Sequence, residues 1–263
     1  MVSAALDAVF AQCRAEERAA LVAYLPAAFP DLARSRAAFA ALAGAGADIV
    51  EVGVPYTDPL MDGPVIQDAA ELALSNGFRF TDVLRCVETV AGGGAVPVVM
   101  SYWNPVLHYG PAAFAADLAA AGGDGLITPD LIPDEASAWR EAAAEHELAP
   151  IFLVAPSTTD ARLVMTTAAC RGFVYAASTM GVTGARRDVG AAAADLVQRT
   201  RAVTDLPVCL GLGVSTGEQA ATVAGFADGV IVGSVLVSAL GTDADIGALS
   251  RLTEELAEGV RRG

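Results

Sequence analysis

An α/β fold closed into a (β/α)8 or TIM barrel, with an extra N-terminal helix, is what this sequence predicts. Three observations carry the prediction. Eight short apolar runs rich in Val, Ile and Leu recur along the chain and read as strands buried on both faces. Segments with apolar residues at helical spacing separate them, and strand–helix alternation implies parallel pairing through right-handed crossovers. No linker or charge run divides the 263 residues, so 1–263 reads as one domain of ordinary barrel size. An open doubly wound sheet is the rival that the same alternation permits.

The elements follow in order. Residues 4–18 set Leu6, Val9, Phe10 and Cys13 at helical spacing and form the leading helix. The first strand, 21–25, is closed by Pro26, and 34–43 is helical. The second strand spans 48–54 and ends at Pro55. Helices follow over 66–75, stopped by Asn76-Gly77, and over 81–90, capped by Thr81 or Asp82. The third strand is 96–102, with a helix over 112–121. Strand 125–128 leads to helix 134–147, strand 151–155 to helix 160–170, and strand 172–176 to helix 191–204. Strand 208–212, helix 217–224 and strand 229–232 complete the eight, and helices over 234–240 and 246–261 close the chain.

Composition narrows the function. Sixteen basic residues against 31 acidic ones give a net charge of −15 and a pI near 4.4, which argues against nucleic acid or an anionic membrane surface as partner. A small phosphate ligand stays open, because backbone N–H groups can hold it. The N-terminus lacks the basic and apolar regions of a signal peptide, and no apolar run is long enough to cross a membrane. Cys13, Cys86, Cys170 and Cys209 lie far apart and read as reduced, mostly buried thiols of a cytoplasmic protein. Neither His108 nor His146 sits in a metal-ligand pattern. All sixteen basic residues are arginine, so lysine Schiff-base chemistry is excluded.

The candidate chemistry centres on residues 48–67. Alternation puts Val50, Val52 and Val54 on one strand face and Ile49, Glu51 and Gly53 on the other. If both faces are buried, Glu51 sits where a charge is costly; its pKa then rises into the range useful for proton transfer. Asp62, in the loop beyond, is placed to stay ionised and face a substrate N–H or a developing cation. The alternative from the residues alone is that Glu51 bridges to an arginine and Asp62 caps the helix at Gly63-Pro64. Asp58 reads more simply as Asp-Pro turn chemistry.

After the last two strands come Gly211-Leu-Gly-Val-Ser215 and Val232-Gly-Ser234. Two Gly/Ser turns in those places point to a phosphate site; a pair of tight turns is the plainer reading. After the sixth strand, Gly181-Val-Thr-Gly-Ala-Arg-Arg187 is a small-residue loop long enough to close as a lid. Tyr24 and Tyr175 stand where alternation turns both inward, as lining for an aromatic substrate.

These residues together resemble the tryptophan synthase alpha subunit family. The segment Glu51-Val-Gly-Val-Pro-Tyr-Thr-Asp-Pro-Leu-Met-Asp-Gly-Pro-Val-Ile-Gln67 is similar to its long signature, and 102–105, 128–131, 181–185, 211–215 and 233–234 match in the family's order. The resemblance implies reversible retro-aldol cleavage of indole-3-glycerol phosphate to indole and glyceraldehyde-3-phosphate in tryptophan biosynthesis. It assigns Glu51 as the general acid/base at indole C3 and the glycerol hydroxyl, and Asp62 as the carboxylate facing the indole N–H. Tyr24 and Tyr175 become substrate-pocket residues, Thr183 a loop residue that positions Asp62, and Gly184, Gly213, Gly233 and Ser234 the phosphate binders. The alpha chain itself needs no cofactor. A pyridoxal-phosphate beta subunit is implied as partner in an α2β2 assembly, with the loop around 53–61 and the region of Asn104–Pro105 at the interface. An inactive paralogue that only activates a beta subunit, and a stand-alone lyase, are the alternatives. The chain departs from the family at Pro26-Ala-Ala-Phe-Pro30 and Ala177-Ser-Thr-Met180, which bears on loop detail and leaves both carboxylates untouched.

Overall fold

Eight parallel strands pair in chain order and close on themselves: β1 Ala20–Pro26, β2 Ile49–Gly53, β3 Val96–Met100, β4 Gly125–Thr128, β5 Ala149–Val154, β6 Val174–Ala177, β7 Val208–Gly211 and β8 Gly229–Val232. The structure, a computed structural model, describes residues 4–178 and 186–263. Closure of β8 onto β1, with Ala20 opposite Gly229 and Ala23 opposite Val232, settles the barrel against the open sheet.

The strand residues separate by parity into two cores, as a pleat requires. Ala20, Val22, Ile49, Val98, Ile127, Ile151, Cys209 and Ile231 fill the barrel interior. Val50, Val52, Leu126, Phe152, Leu210 and Val230 face outward into a second core beneath the helices. The leading helix α1, Ala4–Ala15, has a specific task. Its buried Leu6, Phe10 and Cys13 join the interior cluster and plug the barrel floor, with the Phe10 ring 5.9 Å from Phe173. Its Leu6 N–H is tied to Asp124 Oδ2 at 3.0 Å. Other aspartates at strand starts act alike: Asp48 accepts from Leu21 N and Asp228 from Val208 N, each at 2.8 Å. Arg18 grips Asp48 with both terminal nitrogens, at 2.8 and 2.9 Å. The floor is thus closed and the opposite mouth is left free for chemistry.

Several boundaries differ from the sequence reading. The third strand stops at Met100, short of 102, and a helix α5, Trp103–Tyr109, follows where the sequence reading placed no element. Asn104-Pro105 misleads because proline is tolerated in a first helical turn, whose N–H groups lack helical partners anyway. The region 134–147 is a 3-10 turn, Pro133–Glu135, followed by the helix α7, Ser137–Glu145. Strand five starts earlier, at Ala149, because Pro150 keeps its carbonyl in the ladder region, accepting from Arg171 N at 2.9 Å. The helix at 81 is capped by neither candidate: Phe80 is the N-cap residue without a side-chain bond, and Asp82 accepts from Arg79 N and Arg85 instead.

All four cysteines are free and buried. Burial pushes the Cys13 and Cys86 thiols to about 11 and Cys170 to about 12, so they stay protonated and unreactive. Among the described residues no helix is long and apolar enough to cross a membrane, and no cluster of three or more His, Cys, Asp or Glu could hold a metal ion.

Candidate active site

The barrel mouth opens into a cavity of about 630 Å³. Both carboxylates and both tyrosines line it, along with Gly213, Gly233 and Ser234. Most of the remaining wall is apolar, supplied by Met61, Ile66, Met100, Pro156 and Ile231. Such a lining suits a flat aromatic ring at one end and a charged group at the other.

Glu51 is the middle residue of β2, paired across the sheet with Tyr24 on one side and Val98 on the other. Strand parity points it inward, where its side chain is 1 % exposed. Neither carboxylate oxygen has a hydrogen-bond partner among the described residues. No arginine bridge offsets its burial there, and desolvation pushes the pKa up to about 8. A neutral carboxylic acid therefore waits in the cavity at neutral pH, able to give a proton.

Keeping that acid in place lowers stability in a pH-dependent way. In the unfolded chain the carboxyl ionises near 4.5, and in the fold only near 8. Between those values rising pH ionises the unfolded chain alone, so stability is lost as pH climbs from 4.5 towards 8. Glu51→Gln removes this loss. Its melting temperature should exceed that of the parent at pH 8, with the gap closing towards pH 4. Parallel melting curves across that range would count against a neutral, buried Glu51.

Asp62 stands just before α3, Pro64–Ser75. The helix's N-cap is Gly63, with no side-chain cap bond, so Asp62 is not spent on capping. Its carbonyl accepts from Gln67 Nε2 at 2.7 Å, which fixes the backbone there. Burial raises the Asp62 pKa, and a hydrogen bond from the Tyr102 hydroxyl works the other way. Asp58 is exposed, bonded to Thr57, and outside the cavity.

Three residues at this site went unassigned in the sequence reading. Gly53 and Gly211, at inward strand ends, make room for the tyrosines. A Cβ on Gly53 would lie 2.5 Å from the Tyr24 ring, and one on Gly211 2.9 Å from the Tyr175 hydroxyl. Period-two parity, already used for Glu51, was the signal that could have found them. Tyr102 is the third; its hydroxyl accepts from Leu60 N at 3.0 Å and Met61 N at 2.9 Å. It stood in the sequence only as part of the 102–105 match.

After β7, Gly213 adopts φ +73, the left-handed region, with nothing within 4 Å of where a Cβ would sit. The turn is steadied by Gln219, whose Oε1 accepts from Ser215 N at 2.8 Å and Ser215 Oγ at 3.0 Å. Gly233 and Ser234 begin the short helix α11, Ser234–Leu240. Thr183 and Gly184, with most of the loop read as a lid, lie outside the described residues.

Comparison with known proteins shows the family. A family model described as "Tryptophan synthase alpha chain" matches residues 10–260. The tryptophan synthase alpha chain of Mycobacterium marinum is 62% identical over 257 residues, covering 98% of this chain and 95% of that protein. That of Nocardia farcinica is 61% identical over 252 residues, covering 96% and 94%. Among solved structures, tryptophan synthase from M. tuberculosis in an open form superposes with a TM-score of 0.92 at 57% identity, covering 98% of this chain and 99% of that one. The tryptophan synthase subunit alpha of Legionella pneumophila str. Paris gives 0.88 at 30% identity, covering 99% and 98%.

Proposed function

The chain belongs to the tryptophan synthase alpha chain family, and from that premise we propose that Glu51 and Asp62 carry out the cleavage of indole-3-glycerol phosphate in this cavity. The reaction is a reversible retro-aldol cleavage to indole and glyceraldehyde-3-phosphate, a carbon–carbon lyase step of tryptophan biosynthesis. The observation that carries the assignment is Glu51: buried, unpartnered among the described residues, and neutral near pH 7.

The steps follow from the chemistry of the bond. An indole C3–carbon bond breaks easily only once C3 is protonated and the ring nitrogen bears the positive charge. Neutral Glu51 supplies that proton. Asp62, ionised, accepts the indole N–H hydrogen bond and stabilises the cation. The Glu51 carboxylate then takes the proton from the glycerol hydroxyl next to the bond. The C–C electrons return to the ring, the hydroxyl carbon becomes the aldehyde, and Glu51 is again protonated. No proton is gained or lost overall. The alpha chain needs no cofactor for this, and with every basic residue an arginine there is no lysine to form a Schiff base.

Tyr24 and Tyr175 flank the indole, while Gly213, Gly233 and Ser234, with Gly184, hold the phosphate; Thr183 positions Asp62 as the loop shuts. Gly213→Val tests this placement. The side chain would strain a φ of +73 and project into open space beside the ligand. KM should rise about tenfold or more while kcat changes little, as for lost uniform binding. An unchanged KM would remove the phosphate from this turn.

Indole passes to a pyridoxal-phosphate beta subunit in an α2β2 assembly. Exposed Leu60, Met61, Leu107 and Ile132, in the segments that follow β2, β3 and β4, are apolar side chains that suit such a partner. The whole of 1–263 acts as one domain, and the enzyme works in the cytoplasm.

A further inference from the structure

Residues 57, 58, 60 and 61 are exposed, so the loop that delivers Asp62 to the cavity gains little from packing. Pro55 and Pro59 have no N–H to contribute. Asn104 Nδ2 reaches Tyr56 Oη at 3.3 Å and Gln67 Nε2 holds the Asp62 carbonyl at 2.7 Å; between them one phenol holds the backbone of the loop. The Tyr102 hydroxyl has two lone pairs and one hydrogen. Leu60 N and Met61 N occupy the lone pairs at 3.0 and 2.9 Å, and the hydroxyl, its hydrogen left for an acceptor, favours the ionised form of the Asp62 carboxylate beside it.

Tyr102 itself is fixed to the barrel. It is 5 % exposed and directly precedes α5. The neighbouring Ser101 N bonds Ile127 O of β4 at 3.1 Å, and Ser101 Oγ bonds the Tyr102 carbonyl at 2.8 Å. Its ring packs on Tyr56 with centroids 5.4 Å apart. Trp103 N is held by Asp130 Oδ1 at 2.9 Å. A rigid phenol thus reaches from β3 to a loop some forty positions earlier.

We propose that Tyr102 is a positioning residue: its hydroxyl pins the 60–61 backbone at the cavity mouth and so aims the adjoining Asp62 carboxylate at the substrate N–H. The inference rests on the role given to Asp62 above. The residues whose amides it holds, Leu60 and Met61, carry exposed side chains directly before Asp62.

Tyr102→Phe keeps the ring and deletes only the hydroxyl. The test uses the full chain with its cognate beta subunit, measuring cleavage of indole-3-glycerol phosphate. The expected result is a roughly tenfold fall in kcat, the scale of a hydrogen bond to a charged group, with KM little changed. The acid limb of kcat at saturating substrate should move to higher pH, because Asp62 loses the donor that favours its ionised form. Hydrogen exchange should quicken at the Leu60 and Met61 amides, a readout that survives any loss of activity. Adding Tyr102→Phe to Asp62→Asn should cost no further activity, since the hydroxyl acts through that carboxylate. If Asp62→Asn alone is fully active, the role of Asp62 fails and this inference with it. If Asp62→Asn is impaired while Tyr102→Phe leaves kcat, the acid limb and amide exchange unmoved, only the inference about Tyr102 is overturned.

Discussion

Glu51→Gln abolishes cleavage of indole-3-glycerol phosphate, with kcat falling about a thousandfold or more, at the upper end of what one general acid–base group contributes. The substitution is nearly isosteric, and the side chain it replaces is 1 % exposed without a hydrogen-bond partner among the described residues, so little packing is disturbed. An amide at this position can neither deliver a proton to C3 nor collect one from the hydroxyl, so both halves of the reaction stop. Substrate binding should persist, because the phosphate turns follow β7 and β8 and Glu51 stands on β2. The predicted signature is therefore a stable, well-folded protein that binds substrate and does not turn it over. Indole formation at a near-normal rate would mean that some other group moves the proton.

Asp62→Asn is the second large effect, with an expected loss of about 10²–10³-fold in kcat, the range seen when one electrostatic contact to a developing charge is removed. The substitute is nearly isosteric and leaves the Leu60 N and Met61 N bonds to Tyr102 in place, so loop geometry should be preserved. What disappears is the negative charge opposite the cationic indole ring. KM should move less than kcat, since the charge develops only on the way to bond breakage. A proportionate rise in KM with intact kcat would make Asp62 a simple binding residue.

Much of this site was legible in the sequence because it obeys strand parity. The same alternation that buries Val50 and Val52 under the helices turns Glu51 into the barrel, and Tyr24 stands opposite it in the register. The two Gly/Ser turns were readable because strands seven and eight end there. What escaped depends on contacts between distant positions. Nothing near Tyr102 announces that its hydroxyl meets Leu60 and Met61, about forty residues away. Helix α5 was hidden by a proline that reads as a breaker but sits in a first turn. Asp82 looked like an N-cap and is used one turn differently, on Arg79 N and Arg85. Gly53 was read only as an inward strand position and Gly211 as part of a phosphate turn, and both act as clearance for aromatic rings.

The central claim is that one buried, neutral glutamate runs a retro-aldol cleavage in a chain built to work beside a beta subunit. The most direct measurement is release of indole from indole-3-glycerol phosphate by the purified chain and its Glu51→Gln variant, each with and without the cognate beta subunit. The account predicts slow release by the parent chain alone, strong stimulation by the beta subunit, and none from the variant under either condition. Absence of indole from the parent chain in the complex, or equal release by the variant, would contradict it.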